Sequence, residues 1–120
     1  MSNKDIVLGF INLVDKGEVE QAFEKYVSLD FKHHNAYLAA GRDAMMQTMK
    51  LVRAEVFDIK NIVCDDKENK VVIHAFVKIN SDFNDMLLVQ IYKLENSKIV
   101  EIWDIGQELP KEILNADGAF

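Results

Sequence analysis

Met86-Leu87-Leu88-Val89-Gln90-Ile91-Tyr92-Lys93-Leu94-Glu95-Asn96-Ser97-Lys98-Ile99-Val100-Glu101-Ile102-Trp103-Asp104-Ile105 is the stretch that decides the fold. Two runs rich in β-branched and aromatic residues, Met86 to Leu94 and Lys98 to Ile105, flank the turn Glu95-Asn96-Ser97, which predicts a tight antiparallel hairpin. Working back, Ser81 to Asp85 reads as a turn and Val71 to Asn80 as the strand before it. The charged turn Asp65-Asp66-Lys67-Glu68-Asn69-Lys70 separates that strand from Phe57-Asp58-Ile59-Lys60-Asn61-Ile62-Val63, where apolar residues alternate with polar ones. Residues 55–106 therefore predict an antiparallel meander, and 107–120 a tail.

Upstream of that meander the period is helical. Ser2, Asn3 or Asp5 can cap a first helix with Ile6, Val7, Phe10, Ile11 and Val14 on one face, closed by Gly17. A second helix follows from about Glu18, with Val19, Ala22, Phe23, Tyr26 and Val27 inward. Asp30 to Leu38 has no helical period and reads as a loop or short strand. A third helix is expected from Gly41 or Arg42 to Ala54, with Ala44, Met45, Met49 and Val52 inward. Mainly helical residues 1–54 before a meander describe one α+β domain over 1–120, helices packed on a sheet.

Composition narrows the function classes. The chain has 120 residues, enough for one core, with 49% apolar and 28% charged side chains, the balance of a folded globular protein. Its formal charge of −6 repels phosphate, so nucleic acid and anionic membranes are not expected partners. The acid at Asp5 and the shortness of the apolar run Ile6 to Ile11 argue against a signal peptide or a membrane span. Cys64, the single cysteine, suits a reducing compartment, and a cytoplasmic location is expected.

Chemistry-bearing residues are few. Neighbouring His33 and His34 point opposite ways in extended chain and cannot chelate one metal together. With His74 the only other histidine, no metal site is expected. Cys64 lies beside an acidic turn that disfavours a thiolate nucleophile. Glycines 9, 17, 41, 106 and 118 are too scattered for a phosphate loop or a dinucleotide fingerprint, and no cofactor is expected.

Strand parity sorts the rest. Both faces of the last three predicted strands are largely apolar, so something beyond the helices must cover the second face, and a partner subunit is the economical answer. If Lys93 and Glu101 pair across the hairpin, they mark the outer face. Gln90, Asp104 and His74 then fall inside. Ile73, Ala75, Val77, Val89, Ile91, Ile99, Trp103 and Ile105 form the expected outward set. Polar residues among inward apolar neighbours read either as a pocket lining or as satisfied core groups. Asp104, flanked by Ile102, Trp103 and Ile105, is the carboxylate best placed to serve as a proton shuttle. The bland alternative is an Asp at a sheet end that caps a turn or pairs with a lysine.

The sequence also resembles a family. Phe31-Lys32-His33-His34-Asn35, then the Gly41-Arg42-Asp43 helix start, look like the front half of a SnoaL-like protein of the nuclear transport factor 2-like superfamily. Val71 to Val77, Val89 to Asn96 and Lys98 to Pro110 look like its back half. The resemblance implies a cone-shaped curved antiparallel sheet wrapped around the N-terminal helices, a ligand pocket in the cone and a homodimer through the outer sheet face. It further implies a small, mostly apolar carbonyl ligand and cofactor-free acid/base proton transfer of the aldol cyclase or isomerase type. Under it Asp104, His34 and His74 would carry the chemistry, with Asn35, Phe76, Gln90, Tyr92 and Trp103 binding substrate. The chain departs from the family pattern at Ala36, where a proline is usual, at Gln90, where an aspartate is common, and at Ser97, where the hairpin has glycine. The rival reading is a non-catalytic ligand-binding or dimerisation module on the same fold.

Overall fold

The computed structural model describes all of residues 1–120. Helix α1 (Asn3–Asp15) begins at a reciprocal cap: Ser2 Oγ accepts from the Asp5 main-chain N–H, and the Asp5 carboxylate accepts from Ser2 N–H. It buries Ile6, Val7 and Phe10 and ends at Gly17, whose φ of +84° suits a residue without Cβ. Helix α2 (Val19–Tyr26) buries Val19, Ala22, Phe23 and Tyr26 and runs directly into strand β1 (Val27–His34). Helix α3 (Arg42–Leu51) starts after Gly41 at φ +107° and stops three residues short of the expected Ala54.

Four further strands follow: β2 (Val56–Asp65), β3 (Lys70–Lys78), β4 (Met86–Glu95) and β5 (Lys98–Glu108). The order across the curved sheet is β1-β5-β4-β3-β2. The expected meander forms β2 to β5, each pair antiparallel. What the sequence reading left open is β1, which pairs with β5 in parallel and makes the sheet mixed. A parallel pair needs a long crossover, and here about half of the chain, α3 and β2 to β4, lies between the two strands. The result is the expected α+β cone, with helices and sheet sharing one core that includes Phe10, Phe23, Phe31, Ile73, Tyr92 and Ile102.

Bulges bend the sheet and reset its faces. Lys93 faces Glu101 and Leu94 faces Ile99, so Val100 is an extra residue in β5. Ile99 and Ile102 are both fully buried as a consequence, and Ile99 leaves the expected outward set. In β3 the buried residues are Val71, Ile73 and Ala75. Ile73, Ala75 and Val77 therefore line the inside, while His74 and Phe76 lie on the outer face. This corrects the inward placement of His74. The set containing His74 also holds Lys78, whereas its alternate is wholly apolar, and the wholly apolar set takes the core.

Candidate functional site

Between the inner face of the sheet, α1, α3 and the segment after β1 lies a cavity of about 390 Å³, within the size range of small-molecule sites. Phe10, Ile11 and Val14 come from α1, Met45, Thr48 and Met49 from α3, and Phe57, Val77, Leu88 and Tyr92 from the strands. Its rim includes Tyr37 and Val52, both well exposed, and Arg53, whose Nη2 donates to the Asp15 carbonyl at 3.0 Å and closes the C-terminus of α1. The wall is mostly apolar because each contributing helix and strand turns its core stripe to the same interior.

One polar group interrupts that wall. Asn35 Nδ2 donates to Asp104 Oδ2 at 2.7 Å, and Gln90 Nε2 donates to Asp104 Oδ1 at 3.2 Å. Gln90 and Asp104 sit opposite each other in the β4–β5 register. The Tyr92 hydroxyl donates to Gln90 Oε1 at 2.6 Å and so fixes which end of the Gln90 amide meets the carboxylate. Burial above all, and then the nearby negative charge of Asp104, push the pKa of the Tyr92 hydroxyl well up, so it stays a donor. Asp104 takes part in no salt bridge, and Asp15 is the only other carboxylate at the cavity, out at its rim. Amide donors rather than cations hold this carboxylate, and neither amide nitrogen makes a second hydrogen bond within the protein.

Of the residues singled out from the sequence, Asp104, Asn35, Gln90 and Tyr92 come together at the cavity. His34, His74, Phe76 and Trp103 do not. His34 stacks on Trp103 at 5.2 Å on the outer face, and its Nε2 lies 2.6 Å from Glu101 Oε2. His74 is bonded to Asn61 and, with Phe76, packs under the Phe120 ring. The resemblance assigns the chemistry to His34, but of the two adjacent histidines it is His33 that is buried, and His34 is half exposed. The physical reason is parity, since His33 shares its side of β1 with buried Phe31 and pairs with inward Ile102, while His34 pairs with Trp103. Lys93 and Glu101 do mark the outer face, but Glu101 bonds His34, and Lys93 has Glu95 at 3.8 Å.

Sequence reasoning missed the helical half of the wall. Met45 and Met49 read as an inward helix face and Phe57 as the start of a strand, yet all three line the cavity. Their apolar periodicity was visible, but periodicity alone does not separate a filled core from an empty one. No three His, Cys, Asp or Glu side chains cluster in a way that could hold a metal ion. No helix is long and apolar enough to cross a membrane.

The chain is a small α+β cone enclosing an apolar cavity with one amide-held carboxylate. No family model matches the chain, and no curated protein matches it. Solved structures do. An NTF2-like protein of unknown function from Cytophaga hutchinsonii superposes with a TM-score of 0.75 at 16% identity, covering 89% of this chain and 91% of that one. Another from Burkholderia xenovorans gives 0.76 at 12% identity over 93% and 88%. A SnoaL-like polyketide cyclase from Agrobacterium tumefaciens gives 0.67 at 16% identity over 89% and 92%. The chain has the nuclear transport factor 2-like fold, and SnoaL-like polyketide cyclases are among its structural neighbours.

Proposed function

We propose that the cavity binds a small, mostly apolar carbonyl compound and that Asp104 moves a proton next to the carbonyl without a cofactor. The observation that supports this most is the single carboxylate in an apolar wall, oriented by Asn35 and Gln90 and free of any cationic partner. In such a step Asp104 takes a proton from the carbon beside the carbonyl, and the electron pair passes to the carbonyl oxygen as an enolate. The unused N–H of Asn35 or Gln90 can meet the developing negative oxygen. The proton returns from Asp104 to carbon or oxygen of the product, so the group ends the cycle as it began.

A second reading, non-catalytic binding of the same kind of ligand, is favoured by two observations: no histidine lines the cavity, and Gln90 stands where a second carboxylate would assist. Native mass spectrometry of the protein purified from cells, followed by identification of the retained compound, supplies the ligand for both readings. Asp104→Asn preserves shape and removes the base. Turnover should fall by about 10²–10⁴-fold while binding of the same compound persists. Because an asparagine amide cannot accept from both neighbours, the variant should also lose roughly 1–3 kcal/mol of stability, so a thermal melt accompanies the assay. Unchanged turnover by Asp104→Asn would remove Asp104 as the base. Absence of turnover by the native protein leaves the binding reading.

We further propose a homodimer through the outer sheet face and a cytoplasmic setting, which the exposed free thiol of Cys64 suits.

A further inference from the structure

The segment between β1 and α3 supplies Asn35, Ala36, Tyr37 and Leu38 to the cavity. Tyr37 is 97% exposed, and Leu38 is the one side chain of the segment that packs against the core. A single imidazole bonds the backbone at both of its ends. His33 Nδ1 accepts the Asn35 main-chain N–H at 3.3 Å, and His33 Nε2 lies 2.7 Å from the Ala39 carbonyl oxygen. A carbonyl oxygen can only accept, so Nε2 carries the proton and Nδ1 is bare, which fixes the neutral Nε2–H tautomer. The ring is 8% exposed and lies against Phe31, with centroids 6.4 Å apart.

With both ring nitrogens committed, residues 35–39 become a closed bracket. It presents the Asn35 side chain to the cavity: Oδ1 accepts the Tyr37 N–H at 3.0 Å, and Nδ2 donates to Asp104 at 2.7 Å. The backbone of Asn35 is thus set by His33, and its side chain sets one oxygen of the carboxylate. We propose that His33 is the positioning residue of the site. It touches neither ligand nor Asp104, and acts by fixing the rim segment and, through Asn35, the orientation of Asp104. The proposal rests on reading the cavity as the functional site, where the rim and Asp104 are what a ligand meets.

Two substitutions divide the imidazole's two bonds. The amide of His33→Gln reaches the Nε2 position and keeps a donor for Ala39, but it offers Asn35 no acceptor. The amide of His33→Asn reaches the Nδ1 position and keeps the acceptor for Asn35 while giving up Ala39. In proton–nitrogen NMR spectra of the free protein, His33→Gln should speed exchange of the Asn35 side-chain amide by about tenfold or more, the loss of one charge-assisted hydrogen bond. His33→Asn should leave that exchange near the native rate even where its melting temperature falls further than that of His33→Gln. Exchange that tracks melting temperature rather than the acceptor would overturn the proposal, as would no change in either variant. Should neither variant fold, long-range nitrogen–proton spectra of the native protein read the His33 tautomer directly, and a proton on Nδ1 would overturn it too. None of these measurements needs a ligand, so a cavity that binds nothing leaves the bracket intact and sinks only the functional reading.

Discussion

Tyr92 shows how one buried hydroxyl ties the site to the stability of the core. Its ring is 1% exposed and packs edge-on to Phe10, while its hydroxyl donates to Gln90, which in turn donates to Asp104. Burial, and secondarily the Asp104 charge, raise its pKa above the unfolded value of about 10. A raised folded pKa means that the folded state keeps the proton where the unfolded chain gives it up. Its contribution is therefore complete below about pH 10 and declines as pH climbs from there toward the folded pKa. Urea midpoints taken from pH 8 to pH 11 should fall at the alkaline end, with the Tyr92 phenolate absorbance emerging only as the protein unfolds. Tyr92→Phe should flatten that alkaline decline. At neutral pH the same variant should cost roughly 1–3 kcal/mol, since Gln90 Oε1 is left without a donor. A reversible Tyr92 phenolate in the folded protein would contradict the burial account.

At the scale of elements, what was legible in the sequence depended on whether neighbours in sequence or partners in space decide the structure. The α1 cap at Ser2 and Asp5, its Gly17 terminus, and the β4–β5 hairpin are local, and each could be read directly. Asp104 and Gln90 followed from hairpin register, so half of the polar site was legible too. The places of His34, His74 and Ile99 were not legible because their faces depend on other things: the parallel pairing of β1 with β5, the wholly apolar alternate set of β3, and the bulge at Val100. None of these is a property of one strand's own alternation. The hairpin turn also carries a testable local strain. Asn96 and Ser97 adopt φ of +51° and +62°, a conformation that asparagine tolerates and serine does not favour. The left-handed conformation costs a residue with a Cβ about 1–2 kcal/mol, and the greater freedom of glycine in the unfolded chain offsets part of the gain. Ser97→Gly should therefore stabilise the protein by about 0.5–1 kcal/mol in chemical denaturation, with the unfolding slope unchanged. A destabilised variant would mean that the Ser97 side chain contributes something the turn geometry does not reveal.

For the whole molecule, the helices cover only the concave side of the sheet. Val72, Phe76, Val89, Ile91, Trp103 and Ile105 remain on the outer side, half-buried except Ile105, which is 54% exposed. Of the expected outward set, Ile73, Ala75 and Ile99 belong to the core and Val77 lines the cavity, so the outer patch is smaller than the sequence suggested but still contiguous across β3, β4 and β5. Phe120 lies over His74 and Phe76 at one side of it, with Lys60 above its ring, while His34 stacks on Trp103 at the other side, and Val89 and Ile91 lie between the two. Two copies that each carry a net charge of −6 repel at long range, so association must come from close apolar contact. The proposed two-fold pairing of the patch would supply that contact, and added salt would screen the repulsion. Sedimentation at micromolar concentration should show a dimer that tightens between low and moderate salt. Val89 lies near the middle of the patch, opposite His74 on one side and Ile105 on the other, so a two-fold axis brings the two Val89 side chains near each other. Val89→Glu then buries two like charges against apolar surface and should yield monomers. Its effect on a single subunit's fold should be small, because the side chain points away from the core. A native protein that sediments as a monomer at every salt concentration would show that the outer face is left to solvent and to the tail that carries Phe120.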